Sequence, residues 1–598
     1  MIIKNYTFDR LIAMSVLCLG LVLIFVSILL HFLGGIHLLI AVSFGAFIYL
    51  LFEAKSSTDI GLPEFRWGGR THLLSHIVFF ISISLIIYIM WDNLYYRPLS
   101  FFLLVLVASS SIILNIFLLD ESRKSNTVIT LVEIIVLALV VYSGIYYQFP
   151  GVIGVDPWLH NQWIQETVNI GHITDGEHVS NDYSLFPTFH ISSGVMQIVS
   201  GLPTRTATML STGVLMLVSC AFIFLIGNKL ANTKVGLFAA LIFLLSDEFI
   251  SRGTAIIAMS LALCFFLPVV YLILVIEKSS VSVMILVILL STVIVLTHTI
   301  GASITLLSII AVFFAIQVFR KYNHSPKSNM LVSSTLITFL SLGMISRWMQ
   351  PSVSVKPFFD MNISNLVDAF RYESQFVMAG PEIMKNVAFS STIFNKGGYI
   401  LILAFAVIGA LTWLQPRNLS RSRMELISIA GVLMILSQSL EIFSLSGLLP
   451  ARWAPFTYVV LIPLAVLGLI RTSNLLSGKI LQTSMVMIVT LAIIFMMTTS
   501  KIANSESPLI FNGVIRIGYT QSELTAINTL SDIGAGRPIT DNYYARVFPY
   551  IAGYDKYAEM LQRESRVFIK RNYYLNHPDW NNGYMDRILI GGSQKPNN

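Results

Sequence analysis

Asp156-Pro157-Trp158-Leu159-His160 is the segment of this chain best equipped for chemistry. It follows an apolar run at 127–147. From Ser125 to Thr204 the chain has no Lys or Arg, yet it carries Asp156, Glu166, Asp175, Glu177 and Asp182 with His160, His172, His178 and His190. A carboxylate at the edge of an apolar segment can take a proton from an attacking hydroxyl. It can equally hold a divalent cation, Mg2+ or Mn2+, against a phosphate. The plainer reading makes Asp156 the cap of a helix that starts at Pro157. His160, four residues on, shares a helix face with Asp156, or is a histidine packed at an interface. Long loops without regular structure are usually functional or disordered. Trp158, Trp163, Tyr183, Phe186 and Phe189 favour packing here.

Three further places carry candidate groups. Asp247-Glu248, followed by Arg252, stands at the end of an apolar run over 235–250. The pair is either helix-end solvation or a second acidic motif, and with Asp156 it makes a bipartite site. In Leu449-Pro450-Ala451-Arg452-Trp453-Ala454-Pro455, Arg452 is placed to bind a phosphate at two points, or to snorkel to the interface. His298, between two apolar runs, is a lone donor to a phosphate. If a metal takes part, Asp156 and Asp247 are its ligands. Glu133, Gln438 and Glu441 lie inside apolar runs and must face the protein interior. The long polar segment 351–396 holds Asp360, Asp368, Arg371, Glu373, Glu382 and Lys385, with an amphipathic stretch at 365–376.

The elements that position these groups are membrane spans. Of the 598 residues, 55% are hydrophobic and only 12% charged, with mean hydropathy +0.76, whereas a soluble domain is roughly 25% charged. Apolar runs near span length recur about fifteen times, from 11–31 to 480–499. The first reads as an uncleaved anchor. The net charge of +7 reflects cytoplasmic loops beside anionic lipid and not nucleic acid. With the N-terminus inside, Lys and Arg fall on inner loops (Arg70, Lys124, Lys229, Lys234, Arg320, Arg421, Arg423, Arg471). The acidic segment, Asp247-Glu248, His298, 349–396, Arg452 and the C-terminal tail then lie outside. This alternation requires that 187–202 not cross; it reads as an interfacial or re-entrant helix. The chain divides into 1–125, extra spans; 126–500, a core with an outer loop over 148–205; and 501–598, a small external α/β domain. There, Thr520-Gln521-Ser522-Glu523 has capping-box spacing and Arg537-Pro538-Ile539 reads as a strand. Cys18, Cys220 and Cys264 have no metal or disulfide spacing.

An Asp-Pro-Trp-x-His just after a span resembles the GT-C superfamily of membrane glycosyltransferases, and most of all the first acidic motif of the oligosaccharyltransferase catalytic subunit. Tyr183, Phe186-Pro187, His190, Asp247-Glu248, Arg452 and the small external C-terminal domain add to the resemblance, which covers roughly 127–500. It implies a sugar donor linked to polyprenyl phosphate and an acceptor hydroxyl activated by Asp156. It further implies inversion at the anomeric carbon and a leaving phosphate neutralised by Arg452 with Arg252, His160 or His298. The Trp-Trp-Asp sequon-reading motif is absent from this sequence, which turns the expectation from protein asparagine to a glycan or lipid acceptor. A transporter or flippase is the competing class, since Glu133, Glu441 and Arg452 also fit a substrate pathway. No two-fold internal repeat supports it.

Overall fold

The computed structural model describes residues 7–29, 36–52, 69–93, 95–120, 124–173, 182–275, 280–323, 332–350, 389–442, 452–504, 509, 518–540, 542–563 and 565–568. Asp175, Glu177, His178, the segment 351–388 and the side chains of Gln438, Glu441, Asp182 and Tyr183 fall outside the described residues.

The protein is a helical bundle. Helices α1 (Phe8–Leu29), α2 (Ile36–Phe52), α3 (Gly69–Asp92) and α4 (Leu99–Phe117) precede the core, which begins with α5 (Lys124–Tyr147). Next come α6 (Asp156–Ile170), α7 (Thr188–Ser200), α8 (Thr204–Thr208), α9 (Val214–Leu230), α10 (Thr233–Leu244), α11 (Asp247–Thr254) and α12 (Ala258–Val275). The core is completed by α13 (Val281–Val295), α14 (Thr299–Asn323), α15 (Ser334–Trp348), α16 (Phe389–Leu414), α17 (Arg421–Ile442), α18 (Ala454–Ser473) and α19 (Lys479–Thr499). Among the described residues nine helices are long and apolar enough to cross a membrane, and four shorter ones of 10–17 residues are apolar as well. The chain is thus a multi-pass, all-α membrane protein.

Side-chain bonds tie helix ends together at both ends of the bundle. At one end of the bundle the Arg423 guanidinium donates to Leu230 O at 3.0 and 2.9 Å, His72 Nε2 meets Leu118 O at 3.0 Å, and Lys234 Nζ lies 3.4 Å from Phe117 O. At the opposite end Arg97 bonds Asn504, Gln148 donates to Asn93 O, and the acidic segment gathers.

Helix α18 is the axis of the core. Apolar on every side, it is buried along nearly its whole length. It crosses α16 backbone to backbone, because a Cβ on Gly409 would stand 2.0 Å from Leu464 O and one on Gly468 1.9 Å from Phe405 O. Any larger residue at either glycine would drive the two helices apart.

Helix α7 lies within the stretch 187–202. Its thirteen residues span about 20 Å, short of the roughly 30 Å apolar core of a bilayer. It turns back at Gly201, whose φ is +67. Phe189, His190, Ser193 and Gly194 face inward, while Ile191, Val195, Ile198 and Val199 are exposed, as an interfacial helix demands.

Glu133 does face inward. His76 Nδ1 lies 2.5 Å from Glu133 Oε1, and Asn115 Nδ2 donates to Oε2 at 3.0 Å, tying α3 and α4 to α5. Beyond the spans, α20 (Gln521–Asp532), β1 (Arg537–Ile539), α21 (Asn542–Ala552), α22 (Tyr554–Gln562) and β2 (Arg566–Phe568) form a small unit with its two strands parallel. Its first helix has the expected box: Glu523 N–H donates to Thr520 Oγ1 at 3.3 Å and Thr520 N–H to Glu523 Oε2 at 2.8 Å.

Candidate functional site

Gly154, with φ +94, turns the chain from the end of α5 into α6. Val155 occupies the cap position of α6, and no side chain caps the helix. Asp156 is therefore not the N-cap; it is the first helical residue, ahead of Pro157. With no capping role, its carboxylate faces outward, and Arg452 Nη2 lies 3.5 Å from Asp156 Oδ2. Both side chains stay accessible, Asp156 at 45% and Arg452 at 31%. A pair so open contributes under about 1 kcal/mol, so either partner is available to a ligand.

The acidic pair departs from expectation. The span that precedes it ends at Leu244. Ser246 then caps a new helix with extended backbone, and Asp247 and Glu248 form the first turn of α11 rather than the solvated end of a span. Acidic residues in a first turn suit the helix dipole, but these two are buried. Burial raises Asp247 to about 6, against the pull of bonds from the Glu248 N–H at 2.8 Å and the Tyr458 hydroxyl at 3.0 Å. Burial likewise raises Glu248 to about 7, opposed by Arg252. Arg252 Nη2 stands 3.7 Å from Glu248 Oε2, an ion pair without a hydrogen bond. Neither Glu248 Oε2 nor Arg252 Nε has a hydrogen-bond partner among the described residues.

Arg252 lies within electrostatic reach of both Arg452 and Asp156, and burial lowers its affinity for its proton. His298 lies within reach of the same two arginines. It sits at the corner between α13 and α14, where its Nδ1 accepts the Gly301 N–H at 3.1 Å. That bond leaves the ring proton on Nε2. Burial, then Arg452 and Arg252, push His298 down to about 3, so it is a neutral donor.

His160 does not stand with Asp156 on an open face. It is buried, Nδ1 2.9 Å from His190 Nε2, with Trp163 and Phe189 edge-on to its ring. Burial, with His190 second, holds His160 well below the usual imidazole range, and burial takes His190 to about 4. Two neutral rings sharing one proton link α6 to α7. Helix α7 is pinned in turn beside His298, because Thr188 donates to Leu296 O through Oγ1 at 3.0 Å.

Asp156, Arg452, Arg252, Glu248 and His298 thus come together from four separate parts of the chain. Asp247 is turned toward Tyr458, and His160 lies beneath the surface. Asp156 and Asp247 have different neighbours. Asp156 faces Arg452 and Asp247 faces a hydroxyl, and no group of three His, Cys, Asp or Glu among the described residues could hold an ion.

Sequence reasoning missed Arg205, which donates to Pro150 O at 2.8 Å and to Tyr146 O, and lies 4.9 Å over the Tyr146 ring. It ties the end of α5 to the start of the loop that leads to Asp156. The signal was its place as the first cation after the cation-free stretch. The tie between His160 and His190 had no signal, because thirty residues separate them.

No protein-family model matches the chain, and no curated protein matches it. Solved structures do. The chain is similar to the oligosaccharyltransferase of Archaeoglobus fulgidus in complex with Zn and sulfate, at 13% identity and TM-score 0.45 over 70% of this chain and 61% of that one. It is similar to the same organism's oligosaccharyltransferase AglB with an inhibitory peptide and a dolichol-phosphate, at 12% identity and TM-score 0.42 over 71% and 63%. A third structure of that enzyme, tethered with an acceptor peptide containing the NVT sequon, gives 12%, 0.44, 71% and 63%. The chain therefore spans less than two thirds of the length of these enzymes. They are of the GT-C superfamily that the sequence resembles; a likeness at this level assigns no residue a role.

Proposed function

We propose that this chain is a membrane glycosyltransferase that moves a sugar from a polyprenyl-phosphate donor to a glycan or lipid acceptor on the extracytoplasmic face, with inversion. The observation that carries this reading is the meeting of one accessible carboxylate, Asp156, with two arginines and a neutral histidine at one end of the bundle. Asp156 is the general base: its Oδ takes the proton of the acceptor hydroxyl as that oxygen attacks the anomeric carbon. The bond to the phosphate oxygen breaks on the opposite side. Arg452 and Arg252 neutralise the departing phosphate, and His298 donates Nε2–H to it. Charge neutralisation matters more than protonation for such a leaving group. His160, with His190, holds the first turns of α6 in place instead of touching the phosphate. The Lys/Arg distribution supports this side of the membrane and an external C-terminal unit.

Asp156→Asn tests this. It changes charge and basicity with almost no change of shape, and Asp156 caps nothing, so folding should be intact. Loss of a general base lowers turnover about 10² to 10⁴-fold. A well-folded Asp156→Asn protein that turns over normally removes the mechanism.

A further inference from the structure

The unit formed by residues 518–568 touches the core at the two ends of the Asp156 turn. At the near end, Gly518 lies so close to Phe149 that a Cβ there would stand 2.4 Å from the ring. Phe149 in turn stacks on Tyr95 at 5.6 Å, and the Tyr95 hydroxyl accepts the Gln521 N–H at 3.5 Å. At the far end, Trp158 meets the Tyr519 ring edge-on at 6.4 Å, and Tyr519 stacks on Tyr544 at 5.6 Å. Between them a Cβ on Gly151 would come within 2.4 Å of the Trp158 indole and 3.6 Å of Leu524. Val155 and Trp158, the residues either side of Asp156-Pro157, pack on the apolar core of the C-terminal unit, which is built from Tyr519, Ile527, Tyr544, Val547, Phe548 and Met560.

Asp156 is thus held from two directions. Arg452 approaches its carboxylate from just ahead of α18, and the C-terminal unit supports the backbone on which that carboxylate stands. Between 147 and 156 the chain has no regular element of its own. Its shape is set by what it packs against: Arg205 on one flank, and Tyr519, Leu524 and Gly518 on the other. Packed rings have few alternative arrangements and transmit position. A carboxylate that must meet a hydroxyl within hydrogen-bond reach is sensitive to displacements of about 1 Å, which can cost 10²-fold in rate.

We infer that the C-terminal unit is a positioning element for Asp156, acting through the contact of Tyr519 with Trp158. This rests on the reading of Asp156 as the base. Its contacts described above are with Tyr95, Phe149, Gly151, Val155 and Trp158, so it should govern turnover and leave phosphate binding alone.

The test uses the full-length protein in lipid nanodiscs. Tyr519→Ala removes the ring that Trp158 meets, and Trp158→Phe keeps an aromatic ring there. Lys556→Ala, which breaks an exposed ion pair with Asp532 on the same unit, is the control expected to behave as wild type. Three quantities are read. They are amide exchange over 149–158, affinity for bare polyprenyl phosphate, and release of polyprenyl phosphate from a panel of short-chain polyprenyl-phosphate hexoses in membranes. Tyr519→Ala should speed exchange over 149–158 about tenfold and cut turnover about 10- to 100-fold, with phosphate affinity unchanged. Trp158→Phe should recover most of the turnover that Trp158→Ala loses. Unchanged exchange in Tyr519→Ala overturns the inference whatever the reaction is. So does faster exchange with wild-type turnover, or a fall in phosphate affinity as large as the fall in turnover. Normal turnover by Asp156→Asn is a separate result: it sinks the general-base reading, while the exchange data still report whether the unit holds the turn.

Discussion

His298 offers a test in which two near-isosteric substitutions pull apart two jobs of one ring. Its Nδ1 accepts the Gly301 N–H at 3.1 Å at the start of α14, and in the proposed mechanism its Nε2–H goes to the phosphate. Asn at this position can still cap, because a short amide oxygen reaches the third N–H of a helix, but it has no donor where Nε2 stood. Gln can present an N–H near the Nε2 position but caps poorly. The site is 3% exposed, so an uncapped Gly301 N–H costs about 1–3 kcal/mol. His298→Gln should therefore lower the thermal midpoint in detergent, while His298→Asn stays closer to wild type. A hydrogen bond to a charged acceptor contributes about 1.5–3 kcal/mol, or roughly 10- to 100-fold in affinity. His298→Asn should lose that factor for bare polyprenyl phosphate, measured by titration of the purified protein, and His298→Gln should retain most of it. Wild-type phosphate affinity in a folded His298→Asn protein would refute the donor role and reduce His298 to a helix cap.

Other outcomes follow from the same geometry. Arg452→Lys should weaken bare polyprenyl phosphate nearly as much as Arg452→Ala, about tenfold or more, because Lys keeps the charge and loses the planar two-point contact; a Lys variant that binds like wild type would make Arg452 a simple positive charge. Glu248→Gln should gain stability relative to wild type as pH rises from about 4.5 to 8, against a loss at every pH from leaving the buried Arg252 charge without its partner. Burial raises Glu248 from 4.5 to about 7, so its contribution to stability is present below about 4.5 and is lost as pH rises through 7. The difference between the two melting curves should grow over that window to on the order of 3 kcal/mol, and parallel curves would contradict it. Glu133→Ala takes the shared carboxylate from half-buried His76 and buried Asn115; the thermal midpoint should fall by the equivalent of about 1–2 kcal/mol, with phosphate affinity unchanged.

The amino-acid sequence by itself determined that this is a membrane protein and where its helices run. Hydropathy over twenty residues is a local property, and so is the bias of Lys and Arg toward one set of loops. The capping box at Thr520 and Glu523 and the break near 187–202 were legible for the same reason. Asp156 stood out as a candidate on the same local grounds, a carboxylate beside Pro and Trp at the end of a span. What only the tertiary structure decided was who faces whom. Residue types alone could not tell a capping Asp156 from a free one, and the outcome turned on a single residue, Val155 taking the cap. They could not show that Asp247-Glu248 starts a buried helix instead of ending a span, because that depends on the extended backbone at Ser246 and on the burial of the turn that follows it. Nor could they pair Arg452 with Asp156 across 296 residues or His160 with His190. The support of Trp158 by Tyr519, some 360 residues on, was equally hidden. Contacts of that kind come from how helices stack in three dimensions, and helix packing is set by the summed shape of many apolar side chains, with Gly409 and Gly468 fixing the closest approach.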